Sequence, residues 1–137
     1  MISATIHVKF RVVIDEGYFC NPIVGFNFSK MDRISRLKTF IDQYPADMFS
    51  RHALAMEFVK LGQFSEALEV MLALLAADEN HSGTYYHLGK LYEQLGDHDN
   101  AIRIYEKGII IAGKVRAEND LRELKGALSQ LKDELDG

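Results

Sequence analysis

Two consecutive stretches of equal length decide the fold of this chain. Residues 48–81 read MFSRHALAMEFVKLGQFSEALEVMLALLAADENH, and residues 82–115 read SGTYYHLGKLYEQLGDHDNAIRIYEKGIIIAGKV. Laid over each other, they match at helical spacing on either side of a shared glycine, Gly62/Gly96. The other matched pairs are expected to face the core: Leu54/Leu88, Phe58/Tyr92, Leu61/Leu95, Ala67/Ala101, Leu68/Ile102 and Met71/Tyr105. A repeat with this layout predicts two stacked helical hairpins, each made of a helix A and a helix B.

Each stretch carries its own start and stop signals. Gly62 and Gly96 supply the positive φ that ends helix A. Asp47, Ser65 and Asp99 are expected N-caps, because a side-chain oxygen can accept from the free amides of a first turn. Small residues are expected where the two helices of a hairpin cross, at Ala55, Gly89, Ala67 and Ala101.

The second stretch also follows a known family pattern. That pattern places an aromatic residue, Leu-Gly and Tyr on helix A, then Ala, an aromatic residue and often Pro on helix B. The matching residues are Tyr85, Leu88-Gly89, Tyr92, Ala101 and Tyr105, with Gly113 in the place of the proline. The chain therefore resembles the tetratricopeptide repeat (TPR) family, and in particular small stand-alone two-repeat proteins. The resemblance implies an all-α fold in which the hairpins form a short right-handed superhelical stack.

The segments on either side of the repeats are expected to cap the stack. Residues 31–45 carry apolar residues on one stripe and end at Pro45, like helix B of a partial repeat. Residues 119–135 carry leucines at 121, 124, 128, 131 and 135, which is typical of an amphipathic closing helix. The predicted TPR domain thus covers residues 31–137, with complete repeats at 48–81 and 82–115.

Residues 1–30 have two interpretations. Apolar residues alternate with polar ones from Ile6 to Val12, which suggests a strand, and a returning strand from Tyr18 to Phe28 would complete a short β-hairpin. Alternatively, these residues are an upstream extension through a mis-assigned start codon, with Met31 the true first residue. The sequence leaves both interpretations open.

Composition excludes several classes of protein. A formal charge of -4 argues against a partner with a phosphate backbone, so nucleic acid is not expected. Cys20 is the only cysteine, so neither an internal disulfide nor a cysteine-based zinc cluster can form. No apolar run reaches the roughly 20 residues of a membrane span, and the first residues do not resemble a secretory signal. A cytoplasmic location is expected.

The candidates for catalysis are weak. His52 and His87 lie on helix A faces, but no carboxylate joins them at ligand spacing, so no metal site is expected. Glu57 and the other helical carboxylates fit caps or exposed faces. Glycine-rich phosphate loops are absent from the sequence, so neither a cofactor nor enzymatic activity is expected.

The resemblance places function in the groove formed by the A helices, which would hold a segment of another protein. The residues at these places are Phe49, His52, Met56, Val59, Lys60, Tyr86, His87, Lys90, Glu93 and Gln94. The Lys and Asn clamp with which chaperone-binding TPR domains grip a terminal carboxylate is not present, because those places hold His52, Met56 and His87. We therefore expect an adaptor or assembly factor. Self-association into a homo-oligomer is the alternative, as is a groove covered by the chain's own termini.

Overall fold

The computed structural model describes residues 22–137, with side chains from residue 32 onward. This part of the chain contains six helices and no strand: α1 (Pro22–Gln43), α2 (Met48–Lys60), α3 (Phe64–Ala77), α4 (Ser82–Gln94), α5 (His98–Lys114) and α6 (Glu118–Asp136). The largest interfaces are those of α2 with α3 and of α4 with α5, so each predicted repeat forms one hairpin. The all-α prediction is confirmed.

Short turns join the two helices of each hairpin. Gly62 and Gly96 have φ values of 75° and 79°, as the sequence predicted. In each turn the next amide reaches back to the end of helix A, from Gln63 to Phe58 and from Asp97 to Tyr92, both at 2.9 Å. These bonds satisfy carbonyl groups that the helix end would otherwise leave free.

Only one of the three predicted N-caps is correct. The Asp47 carboxylate accepts from the Ser50 amide at 3.0 Å. At α5 the cap is Asp97, which accepts from the Asn100 amide at 3.2 Å, because the helix begins at His98 and Asp99 already lies inside its first turn. Helix α3 begins at Phe64 and has no side-chain cap, so Ser65 does not fill that role.

The core consists of two clusters that share α4. One cluster gathers apolar residues of α2 and α3 around Leu88 and Leu91, and the other gathers residues of α5 and α6 around Tyr85. Leu61 and Leu95, which were expected to face the core, are exposed instead. Both are C-cap residues, placed just past the last turn of helix A where the chain already leaves the packed face.

The terminal helices extend the stack at both ends. Helix α6 packs on both α4 and α5, which is where helix A of a third repeat would lie. Ser82 Oγ donates to the Asp120 carboxylate across that contact. At the other end α1 packs on α2, and Arg33 Nε lies 3.0 Å from Glu57 Oε2. Glu57 is only 5% exposed, so the prediction of an exposed carboxylate was wrong.

The prediction of a β-hairpin at the N-terminus is also wrong for the part of it that the structure describes. The predicted returning strand, Tyr18 to Phe28, is helical from Pro22 onward. Proline is favoured at the first helical position, and extending an existing helix costs less than forming a separate hairpin. The predicted strand from Ile6 to Val12 lies outside the described residues, and the division of the chain near residue 30 stays a prediction.

Candidate functional site

A cleft of about 110 Å³ separates α2 from α4. Helix α2 supplies Met56 and Val59, and the buried Met71 of α3 also reaches the cleft. Helix α4 supplies the remaining lining residues, which are His87, Lys90, Leu91 and Gln94. We call this the α2–α4 cleft. Its lining combines aliphatic and thioether side chains with three polar ones, which is the composition of a small binding groove.

Five of the ten predicted groove residues line the α2–α4 cleft: Met56, Val59, His87, Lys90 and Gln94. Sequence reasoning missed two lining residues: the repeat pattern assigned Met71 to the core, and it gave Leu91 no role. Both are buried, and both nevertheless reach the wall of the cleft. No signal in a single sequence separates a core residue that meets a cleft from one that does not.

The other five predicted groove residues do not line the cleft. Tyr86 packs edge-on against His87, with ring centroids 5.4 Å apart. Phe49 is 78% exposed and does not line the cleft. Glu93 and Lys60 take part in ion pairs described below, and His52 belongs to a histidine cluster.

The lysines near the cleft are already paired within their own helices. Lys90 Nζ lies 3.0 Å from Glu93 Oε1, and Lys60 Nζ lies 3.3 Å from Glu57 Oε2. A paired lysine offers less free charge to a ligand carboxylate than an isolated one does. Both lysines therefore already have a carboxylate partner on their own helix.

Three histidines meet beside the α2–α4 cleft. The ring of His52 lies 4.9 Å from that of His87 and 6.1 Å from that of His81, measured between centroids. Burial, followed by the nearby His87 and His81 rings, lowers the pKa of His52 to about 4. Burial also lowers the pKa of His87, although the carboxylates of Glu123 and Asp120 oppose that shift. Both imidazoles are therefore neutral at pH 7.

A second concavity lies near the other end of the stack. It has a volume of about 430 Å³ and is formed by α1 and the start of α2. Phe40 lines it, and the Phe40 ring packs against the ring of Tyr44 with centroids 4.7 Å apart. Phe40 and Tyr44 on this contact, and Phe49 in the first turn of α2, are all exposed, and we call these three residues the N-terminal aromatic patch. Sequence reasoning placed only Phe49 at a binding surface.

Neither a metal centre nor a membrane span is found in the described part of the chain. Among residues 22–137, no group of three histidine, cysteine or acidic side chains has the geometry to hold a metal ion. None of the described helices is long and apolar enough to cross a bilayer.

The stacked hairpins define a helical-repeat protein, and comparisons with known proteins identify the repeat. A family model described as a tetratricopeptide repeat matches residues 82–113, the more typical of the two repeats. A crystal structure of a tetratricopeptide repeat domain protein from Salinibacter ruber is 42% identical, with a TM-score of 0.61. The match covers 64% of this chain and 97% of that one. The chain belongs to the tetratricopeptide repeat family.

Two further structures extend the comparison. A solution structure of a Bordetella parapertussis protein is 28% identical over 74% of this chain and 88% of that one, with a TM-score of 0.66. The TPR2B domain of yeast Sti1, in a complex with pHsp70, has a TM-score of 0.69 over 78% of this chain and 88% of that one. That domain is 17% identical, so this likeness shows the fold alone. The comparison with curated proteins gives no match.

Proposed function

We propose that this protein is an adaptor or assembly factor that holds a segment of another protein in the α2–α4 cleft. The observation that carries the proposal is the lining of the cleft. Met56, Val59 and Leu91 give it an apolar wall, and Lys90 and Gln94 give it a polar edge. An apolar pocket with a few polar groups at its margin is how proteins hold the anchor residue of a partner.

The size and charge of the cleft indicate the kind of segment. A volume of about 110 Å³ suits one aliphatic or thioether side chain rather than a large aromatic ring. Because Lys90 is paired with Glu93, the edge of the cleft favours main-chain or amide hydrogen bonds over a carboxylate. The partner we propose is therefore a segment with one Leu, Ile or Met anchor flanked by uncharged polar residues.

The family supports this use of the fold. TPR proteins are generally protein–protein interaction modules, and the Sti1 domain shows the same fold in a complex with pHsp70. We assign this chain no catalytic step and no cofactor. His52 and His87 pack against each other, and the buried Nδ1 of His52 has no hydrogen-bond partner among the described residues, whereas the general base of a catalytic triad is oriented by one.

Selection from a peptide display library on the full chain tests the proposal. Selected peptides should share an aliphatic anchor, and Met56→Lys should weaken their binding by about tenfold or more, since the lysine places a charge at the apolar wall. The matched control is Ile110→Lys, on α5, where the side chain is 70% exposed. Equal binding by Met56→Lys and Ile110→Lys would place the binding surface elsewhere.

Self-association is the second candidate function, and the N-terminal aromatic patch favours it. The exposed Phe40–Tyr44 ring pair, together with the exposed Phe49, is the kind of apolar surface that marks an interaction site. Light scattering on the purified chain distinguishes the two candidates. A tight dimer that becomes a monomer in Phe49→Ser supports self-association through the patch. A dimer that also buries Met56 would contradict a free cleft.

A further inference from the structure

The histidine cluster lies at the junction between the two repeats. His52 belongs to α2, His87 belongs to α4, and His81 precedes the first residue of α4. The Nδ1 atom of His52 is buried and finds no hydrogen-bond partner within residues 22–137. His81 differs, since its Nδ1 lies 2.7 Å from Thr84 Oγ1. Here the two repeats contact each other through the imidazole rings of His52 and His87. This contact is stable only while the rings are uncharged.

The surroundings of His52 and His87 differ in charge. In the described part of the chain, the titratable groups that act on His52 are His87 and His81, and neither is a carboxylate. His87 contacts the ring of Tyr86 on its own helix. Helix α6, however, packs on α4, and its Glu123 and Asp120 carboxylates raise the pKa of His87, although Asp120 also accepts from Ser82 Oγ. A protonated His87 would therefore be attracted toward α6, whereas its ring contact on α2 is the neutral imidazole of His52.

The two rings should consequently take up protons in order. Burial lowers the pKa of both rings, and the α6 carboxylates partly offset this for His87. His87 then becomes charged first as the pH falls, while His52 is still neutral. Placing a charged imidazolium against a half-buried ring with no carboxylate nearby is unfavourable, which favours movement of His87 toward α6.

We propose that this cluster is an acid-sensitive joint between the repeats, in which the His87 ring leaves His52 and turns to the carboxylates of α6. Because His87 lines the α2–α4 cleft, its movement changes the shape of that cleft. The consequence for partner binding rests on the proposed function. The joint itself does not, since it concerns only contacts within the chain.

The sign of the stability effect follows from the lowered pKa values. The unfolded chain binds protons at His52 near pH 6.5, whereas the folded chain does so only near pH 4. The contribution of the neutral His52 to the free energy of unfolding is therefore complete above its pKa in the unfolded chain. It is lost progressively as the pH falls from about 6.5 toward about 4.

Nuclear magnetic resonance titration of the full chain from pH 7.5 to pH 4.5 tests the movement. The His87 ring should titrate below pH 6.5, and the amide signals of Met56, Lys90 and Glu123 should shift with the same midpoint. The exposed variant Glu123→Gln should lower the His87 midpoint by a few tenths of a pH unit and reduce the amide shifts, because one attractive carboxylate is lost. The control His98→Gln, whose residue lies outside the cluster, should change neither. The proposal would be overturned if the amide signals of the cleft residues did not shift with the same midpoint as His87. It would also be overturned if Glu123→Gln left the His87 midpoint unchanged.

Thermal unfolding gives a second readout that needs no binding partner. Between pH 7 and pH 4.5 the melting temperature of the natural chain should fall by about 4 °C more than that of His52→Gln. An equal fall in both chains would also overturn the proposal. If no peptide binds the α2–α4 cleft but these titrations behave as expected, the proposed function fails and the joint stands. If a peptide binds the cleft but the His87 ring and the cleft amides do not titrate as expected, the proposed function stands and the joint fails.

Discussion

The ring of Tyr105 on α5 lies directly against the backbone of Gly89 on α4. A Cβ atom at position 89 would come within 2.6 Å of Tyr105 Cδ1, closer than real carbon contacts allow. Tyr105 is fully buried, so its ring is enclosed by the core and has no exposed side toward which it could turn. This glycine therefore sets how closely the two helices of the second hairpin approach, as the Leu-Gly of the family pattern implies.

Substitution of Gly89 should consequently destabilise the fold. We expect Gly89→Ala to lower the free energy of unfolding by about 1–3 kcal/mol, because the added methyl group forces the hairpin apart. Gly126 is a matched control, since it lies on the exposed face of α6 and a Cβ there meets nothing within 4 Å. Gly126→Ala should raise stability by about 0.5–1 kcal/mol through helix propensity. Urea denaturation measures both values, and equal effects of the two substitutions would contradict the close approach.

Two buried tyrosines of the same core cluster should respond differently to loss of their hydroxyl groups. Tyr85 donates to the Glu79 carbonyl oxygen at 2.8 Å. The Tyr105 hydroxyl is buried without a hydrogen bond of normal geometry in the described residues, although the Glu93 carboxylate is near. We expect Tyr85→Phe to cost about 1 kcal/mol and Tyr105→Phe to be neutral or slightly stabilising. Thermal melts of the two variants, side by side, check this difference.

Arg116 has an unusual backbone conformation for its residue type. Its φ is 61°, and it lies in the turn between α5 and α6, where the Ala117 amide donates to the Ala112 carbonyl at 2.9 Å. Side chains other than glycine pay a steric cost in this region. Arg116→Gly should raise the free energy of unfolding by about 0.5–1 kcal/mol, whereas Gly62→Ala should lower it by a similar amount. A loss of stability in Arg116→Gly would show that its side chain makes contacts that outweigh the strain.

The hairpins were predictable from the sequence because their signals are local. A glycine after each helix A, an apolar stripe at helical spacing and small residues at the crossing all act within about thirty residues of chain. Gly62, Gly96 and Gly89 each lie where the repeat pattern placed them. The same reasoning placed Leu61 and Leu95 wrongly, because identical spacing continues one residue past the point where the packed face ends.

The candidate site was less predictable because it depends on distances between helices. Lys90 was recognised as a groove residue, but its pairing with Glu93 decides what charge it offers, and that requires side-chain geometry. Glu57 was assigned to an exposed face because its charge suggests one. Its buried carboxylate is paired with Arg33, a residue of α1 that is twenty-four positions away in the sequence.

The contact between Arg33 and Glu57 leads to a final prediction about how α1 is held. Glu57 is buried, whereas Arg33 is more than half exposed, and Arg33 Nε lies 3.0 Å from Glu57 Oε2. A double-mutant cycle of Arg33→Ala and Glu57→Ala should give a coupling energy of about 1 kcal/mol. The control cycle uses Asp32 and Arg36, an exposed pair within α1 that is also 3.0 Å apart and should couple by no more than about 0.5 kcal/mol.

The cycle separates two accounts of α1. If the pair docks α1 on the first repeat, the coupling should persist at 0.5 M NaCl, since one partner is shielded from solvent. The Asp32–Arg36 coupling should vanish under the same conditions. Equal salt sensitivity of the two cycles would mean that apolar contacts alone hold α1, through residues such as Ile34, Leu37 and Ile41 that pack against the first core cluster.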